Sequence, residues 1–349
     1  MNAFSNVSRR RFLAGTLAAT VMPALPAVSH GKPAKPSHAT SEVSLQHGAD
    51  RAQNIFDALK PFADKIARDI GNRPVLIKPN NVSVSNQLSA THVDALVGLI
   101  EFLHSIGKRQ ITIAESAASG PTIEGYEEYG YLPLQSKYGV ELVDLDQQPF
   151  ETIYVVNDQD IQPHAVRTSS MLLNRDHYII SAAVMKTHDR VVATLSLKNI
   201  VFGAPIKDEG FRWGRGRKPD AQNDKPIAHG GGFQGVNYNL FALAPRLHPD
   251  LAVIDGFTGM QGNGPVGGTP VEHGVAVAST DWLAADRVAV ELMGIDFDRV
   301  GYLNYCAKAG YGEADLSRIA VRGASIADHR KSYRLHENIE KQMIWQTSS

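Results

Sequence analysis

Cysteine is nearly missing from this chain: Cys306 is the only one in 349 residues. That excludes an intramolecular disulfide framework, and it leaves no cysteine set to hold an iron–sulfur cluster. An excess of charge is missing too, with 35 Lys and Arg against 36 Asp and Glu. No basic stripe of the kind that follows a phosphate backbone occurs, so no nucleic-acid partner is expected. The motifs H-E-x-x-H, Cys-x-x-Cys, G-x-S-x-G and G-x-x-x-x-G-K-[ST] are absent. Their absence removes the familiar zinc sites, the serine-hydrolase elbow and the phosphate loop from consideration.

What is present begins at the N-terminus. Ser8, Arg9, Arg10, Arg11, Phe12 and Leu13 form S-R-R-x-F-L, and an apolar stretch follows to about Leu25. The stretch falls short of the roughly 20 residues that span a bilayer, so the mature protein is expected to hold no stable membrane span. A basic start, a short apolar middle and small residues near Ala27 to Ser29 read as a secretory signal, and the arginine pair points to the twin-arginine export machinery as a partner. The expected location is periplasmic or otherwise exported.

The expected organisation is a twin-arginine signal over 1–29, a flexible linker over 30–48, an α/β domain over 49–325 and a charged C-terminal helix over 326–349. Hydrophobic residues make up 43% of the chain, enough for a sizeable core. Ile55, Leu59, Phe62 and Ile66 share one face of a helix predicted over 49–70. The stretches "RPVLIKPNN", "RQITIAES", "VELVDL", "DHYIISAAVMKTH", "PDLAVIDG", "HGVAVAST" and "SRIAVRG" read as strands separated by helical spacing. Strands apolar along their whole length, alternating with helices, predict a largely parallel sheet covered by helices on both faces, in one body or two lobes.

Ligands of such sheets bind outside the carboxyl ends of the strands. Lys78 and Asn80, Glu115 and Ser116, Lys186 to His188, Asp255, and Thr280 with Asp281 each follow an apolar run, and Asp281 also reads as the N-cap of the next helix. Lys78 and Lys186 read as anion-holding groups or as lysines reaching solvent. His188 and His92 read as proton carriers or metal ligands, with Thr91 as the cap of the next helix. Lys198 and Asn199 sit inside "VVATLSLKNIVFG", where a charged group needs a partner. Glu115 and Asp255 could hold a divalent cation or balance the lysines. "GMQGNGPVGG" contains a literal G-x-G-x-x-G, but a strand and not a helix follows it, so it reads as a glycine-rich loop with Asn263 and Gly264 near an anion. The polar stretch 207–232, with Arg212, Trp213, Arg215, Arg217, Lys218, Lys225 and His229, reads as a lid or as a passive insertion.

Taken in order, "VLIKPNN", "ATH", "ITIAES", "VMKTH", "TLSLKNIVFG", "VIDGFTGMQGNGPVGG" and "ASTDWLAADRVAVELMG" resemble the family catalogued as domain of unknown function 362. The resemblance covers about Pro74 to Gly323. It implies that Lys78, Asn80, His92, Lys186, His188, Lys198, Asn199, Asp255, Asn263, Gly264, Pro265 and Asp281 occupy the family's motif positions. Some relatives carry a ferredoxin-like cysteine cluster, which this chain lacks. The resemblance implies a fold and a site but no reaction.

Three functions are consistent with these residues. The leading expectation is an enzyme acting on a small carboxylate or phosphate compound. Lys78, Asn80, Lys198, Asn199, Asn263 and Gly264 would bind it, and His188, His92 and Lys186 would carry the chemistry. The alternatives are a periplasmic small-molecule or cofactor-binding protein, and a metal-dependent enzyme.

Overall fold

The computed structural model describes residues 41–160, 162–214, 216 and 218–348. The signal segment and residues 30–40 of the expected linker lie outside them. Residues 41–47, also read as linker, instead form a strand of the central sheet.

The strands are β1 (Ser41–His47), β2 (Val75–Lys78), β3 (Ile111–Glu115), β4 (Glu141–Asp144), β5 (Phe150–Val156), β6 (Pro163–Ser169), β7 (Tyr178–His188), β8 (Val192–Thr194), β9 (Leu251–Asn263), β10 (Gly267–Ser279) and β11 (Ile319–Gly323). One mixed sheet runs in the order β11-β1-β10-β9-β7-β2-β3-β4, with β8 paired to β7, and β5 and β6 form a separate hairpin. From β9 to β4 every neighbour is parallel. Alternation along the strands feeds two cores. Val75, Ile77, Tyr178 and Ile180 pack on one face with the helices Arg51–Leu59 and Val93–Ser105. Leu76, Ile179 and Ala183 pack on the other with the helix Trp282–Leu292. This is the period of two expected of a sheet buried on both faces.

Three departures from the sequence reading have local causes. The helix expected over 49–70 is two helices, Arg51–Leu59 and Ala63–Ile70, joined by a tight turn that contains Pro61; proline cannot donate in a helix interior. The glycine-rich segment after Asp255 is not a loop but the two long arms of the β9–β10 hairpin. Because β10 is antiparallel to β9, Thr280 and Asp281 emerge at the opposite end of the sheet from Lys78 and His188. There Asp281 caps the helix Trp282–Leu292 through Leu283 N–H and Ala284 N–H, as its sequence position suggests. Third, the C-terminal residues make no single charged helix. They form the short helices Ile326–His329 and Ile339–Gln342 and a closing 3₁₀ turn, joined by an irregular strap that buries Tyr333.

The parallel half decides where a ligand can enter. The chain steps from β2 to β3 and β4 on one side, then returns to β7 on the other side of β2 and continues to β9. The order reverses at β2, and the crevice at its carboxyl edge is where open α/β sheets place their ligands.

Candidate functional site in the crevice at the sheet reversal

β2 and β3 deliver Lys78 and Glu115 to this edge, and both side chains are buried. Lys78 Nζ donates to Glu115 Oε1 at 2.6 Å, to the Pro79 carbonyl at 3.0 Å and to Asn199 Oδ1 at 3.3 Å. An ammonium has three donors, and all three are used. Lys78 therefore belongs to the wall of the site. Glu115 is equally committed, since Oε1 also accepts Ser116 N–H and Oε2 accepts Asn81 N–H.

The short helix Ser196–Val201 carries Lys198 and Asn199 into the crevice. Its first turn is held by Asp286, which accepts from Ser196 N–H, Ser196 Oγ–H and Leu197 N–H. Asn199 is fully engaged: Nδ2 donates to the Lys78 carbonyl and to Ser181 Oγ, and Oδ1 accepts from Asn80. Lys198 is different. It is 7% exposed, and its Nζ has no hydrogen bond or ion pair among the described residues; it lies 5.3 Å from the centroid of the Phe202 ring. Burial pulls its ammonium down to about 8, against a partial restoring attraction from Asp189. The Oδ1 of Asn80 is also buried without a partner among the described residues.

These groups border a cavity of about 100 Å³, whose wall includes Asn80, His188, Lys198, Phe202, Lys225 and His229. The two histidines have opposite tautomers, fixed by their hydrogen bonds. His188 Nδ1 lies 3.1 Å from both Arg190 N–H and Asp189 Oδ1; the backbone donor is the contact with hydrogen-bond geometry, and it puts the proton of the neutral ring on Nε2. His229 Nδ1 lies 2.6 Å from the Lys225 carbonyl, which can only accept, so Nδ1 carries the proton and Nε2 keeps its lone pair. The rings stack with centroids 6.3 Å apart. Burial, followed by repulsion from Lys198, keeps both neutral: His188 falls well below the ordinary range and His229 to about 3. Lys225 Nζ donates to the Pro205 and Gly203 carbonyls, and burial lowers it to about 7.

The other expected site residues lie elsewhere. Lys186 is wholly buried and donates to the Ser89 carbonyl; it does not border the cavity, and burial with Lys198 repulsion pushes it far below an ordinary lysine. His92, not Thr91, caps the helix Val93–Ser105, accepting from Asp94 N–H, and it too is absent from the cavity wall. Asp255 is paired with Arg51 at 3.2 Å, while burial raises its carboxyl. Among the described residues no group of three or more His, Cys, Asp or Glu side chains is placed to hold a metal ion. Asn263 and Gly264 border a second, outer chamber of about 510 Å³, which shares His188, His229 and Pro265 with the wall of the inner one.

A family model described as Domain of unknown function (DUF362) matches residues 75–291. The chain belongs to the DUF362 family. It is also similar to the thylakoid-associated protein sll1697 of Synechocystis sp., with 25% identity over 224 residues; the match spans 64% of this chain and about 63% of the length of that relative. A crystal structure of a Thermotoga maritima protein aligns at 12% identity and a TM-score of 0.39, covering 64% of this chain and 55% of that one.

Two features of this DUF362 site escape a linear reading. Lys225 and His229 fall in the polar stretch 207–232, where nothing local separates them from surface residues; Arg215 and Arg217 of that stretch lie outside the described residues. The second feature is the C-terminal strap, beyond the family-matched segment. Gln342 is fully buried, accepts from Val192 N–H at 2.7 Å and donates to the His188 carbonyl at 3.0 Å. Asn338 donates to the Asp189 carbonyl, and Glu337 and Asn263 exchange hydrogen bonds. The strap thus clamps the β7–β8 turn that bears His188, including Val192 at φ +68°, an uncommon conformation for a β-branched residue. Gln342→Ala leaves the Val192 N–H buried without a partner, a cost of about 1–3 kcal/mol. Urea unfolding of the variant is expected to show that loss, and ring resonances of His188 are expected to broaden or shift. Unchanged stability and an unchanged His188 environment would show the clamp to be dispensable.

Proposed function

We propose that this DUF362 chain is an exported enzyme acting on a small carboxylate or phosphate compound bound in the inner cavity. The observation that carries the reading is Lys198, a nearly buried cation bordering the cavity that makes no ion pair among the described residues and feels only a partial attraction from Asp189. A charge held away from water is costly unless a counter-ion arrives, and an anionic ligand supplies one. Asn80 Oδ1, an acceptor without a donor, suits a ligand hydroxyl or the O–H of a hydrogen phosphate. His188 Nε2–H donates to the ligand and His229 Nε2 accepts a proton from it. Burial depresses His229 most and repulsion from Lys198 adds to it; an anion beside Lys198 relieves the second contribution, so binding shifts His229 toward greater basicity.

The test is thermal unfolding and native mass spectrometry of the mature protein at neutral pH with phosphate, sulfate and short carboxylates. Stabilisation in the wild type that is absent in Lys198→Met supports the reading, whereas indifference of the wild type to every anion removes it. A retained anion without turnover of any compound that binds would favour the binding-protein alternative. Export rests on the S-R-R-x-F-L pattern; precursor of Arg9→Lys/Arg10→Lys is expected to stay in the cytoplasm, and normal export of it would overturn that assignment.

A further inference from the structure

The inner cavity, at about 100 Å³, admits a phosphate or a short carboxylate and little else. It shares His188, His229 and Pro265 as wall residues with the outer chamber of about 510 Å³, a volume typical of small-molecule sites. The shared wall is aromatic: His188 and His229 are stacked, and Phe202, on the inner side, lies 4.3 Å from His229. Trp213 borders the outer chamber with 56% of its surface exposed, and its backbone N–H is tied to the Ser119 carbonyl. An exposed indole on an anchored backbone offers a flat apolar face without the entropy cost of a free loop. Arg190, on the same chamber, has its guanidinium 5.9 Å from the Phe233 ring centroid and no acidic partner among the described residues.

We infer that the ligand is an aryl or heteroaryl compound: its anionic head occupies the inner cavity beside Lys198, and its ring passes the histidine stack to lie in the outer chamber against Trp213. This rests on the anion reading of the inner cavity. The aromatic walls make an alkyl chain a poorer occupant than a ring, because a ring gains offset stacking on top of apolar burial. Arg190 stands where a polar or acidic substituent on the far side of the ring would reach it.

The experiment compares two head groups with three bodies by calorimetry and thermal unfolding. The probes are inorganic phosphate, butyl phosphate and phenyl phosphate, and acetate, butyrate and phenylacetate. The expected result is that the phenyl member of at least one series binds about tenfold or more tighter than its unsubstituted head and clearly tighter than its alkyl partner. Trp213→Ala, a change at a half-exposed side chain, should erase most of that gain while leaving binding of the bare head unchanged. If a bare head binds but the phenyl compounds bind no better, the aryl inference fails and the anion reading stands. The aryl inference fails in the same way if the phenyl gain survives Trp213→Ala intact. If none of the six compounds binds, both readings fall together.

Discussion

Lys78→Met is expected to lower the stability of the protein by about 3–5 kcal/mol at neutral pH, the cost of leaving one member of a buried ion pair without the other. The pair lies at 2.6 Å, with both side chains almost wholly removed from solvent. Methionine retains the apolar stem, so packing changes little, and the loss isolates the charge. Glu115 would keep its two backbone donors from Asn81 and Ser116 but lose its counter-ion. Urea denaturation measures the effect. The double variant Lys78→Met/Glu115→Gln should recover only part of it: a neutral amide needs no cation, but its single oxygen can accept from only one of Asn81 N–H and Ser116 N–H. A loss below about 1 kcal/mol in the single variant, the range of surface pairs, would show that the pair does not hold the crevice together.

Lys198 is expected to behave in the opposite way. Its folded ammonium lies at about 8, below the unfolded 10.5. A lysine depressed in the folded state binds fewer protons there than in the unfolded chain, so stability rises with pH between the two values. Below about pH 8 the penalty is fully present; it fades as pH climbs toward 10.5. The difference corresponds to about 3 kcal/mol. Lys198→Met should therefore be as stable as the wild type or more so at pH 7, and its stability should rise less between pH 8 and 10. The anion response has the reverse dependence. At 100 times the dissociation constant an anion adds about 2.7 kcal/mol, and this gain should shrink above pH 8 as the ammonium deprotonates. Melts across pH with and without phosphate decide both points. A variant that is several kcal/mol weaker at pH 7, with a pH profile parallel to the wild type, would make Lys198 a structural residue and not a ligand anchor.

The fold class was legible because it depends on runs that burial imposes on sequence. β7 is buried along all eleven residues, and only a strand covered on both faces tolerates that. The residues at the carboxyl edge were legible for the same reason: Lys78, Asn80, Glu115, His188, Lys198 and Asn199 interrupt or terminate apolar runs, and all six border the inner cavity. Direction was harder. Asp281 follows an apolar strand just as Glu115 does, yet β10 runs antiparallel and carries it to the far end. A strand's composition records burial and not polarity of direction, so this required the hairpin.

By itself the sequence determined the layered α/β architecture, the edge at which charged groups gather, and the identity of most residues there, because each follows from where apolar runs start and stop. Tertiary structure alone decided which of those groups are free. Lys78 and Lys198 look alike in sequence, one ending and the other interrupting a hydrophobic stretch. One spends all three donors on Glu115, Pro79 and Asn199, and the other has none of its donors matched by the described residues. The same holds for His229, brought to the cavity from a polar stretch, and for Gln342, which reaches the His188 turn across 154 residues of chain. Hydrogen-bond saturation is a property of atoms brought together from distant positions, and no local pattern records it.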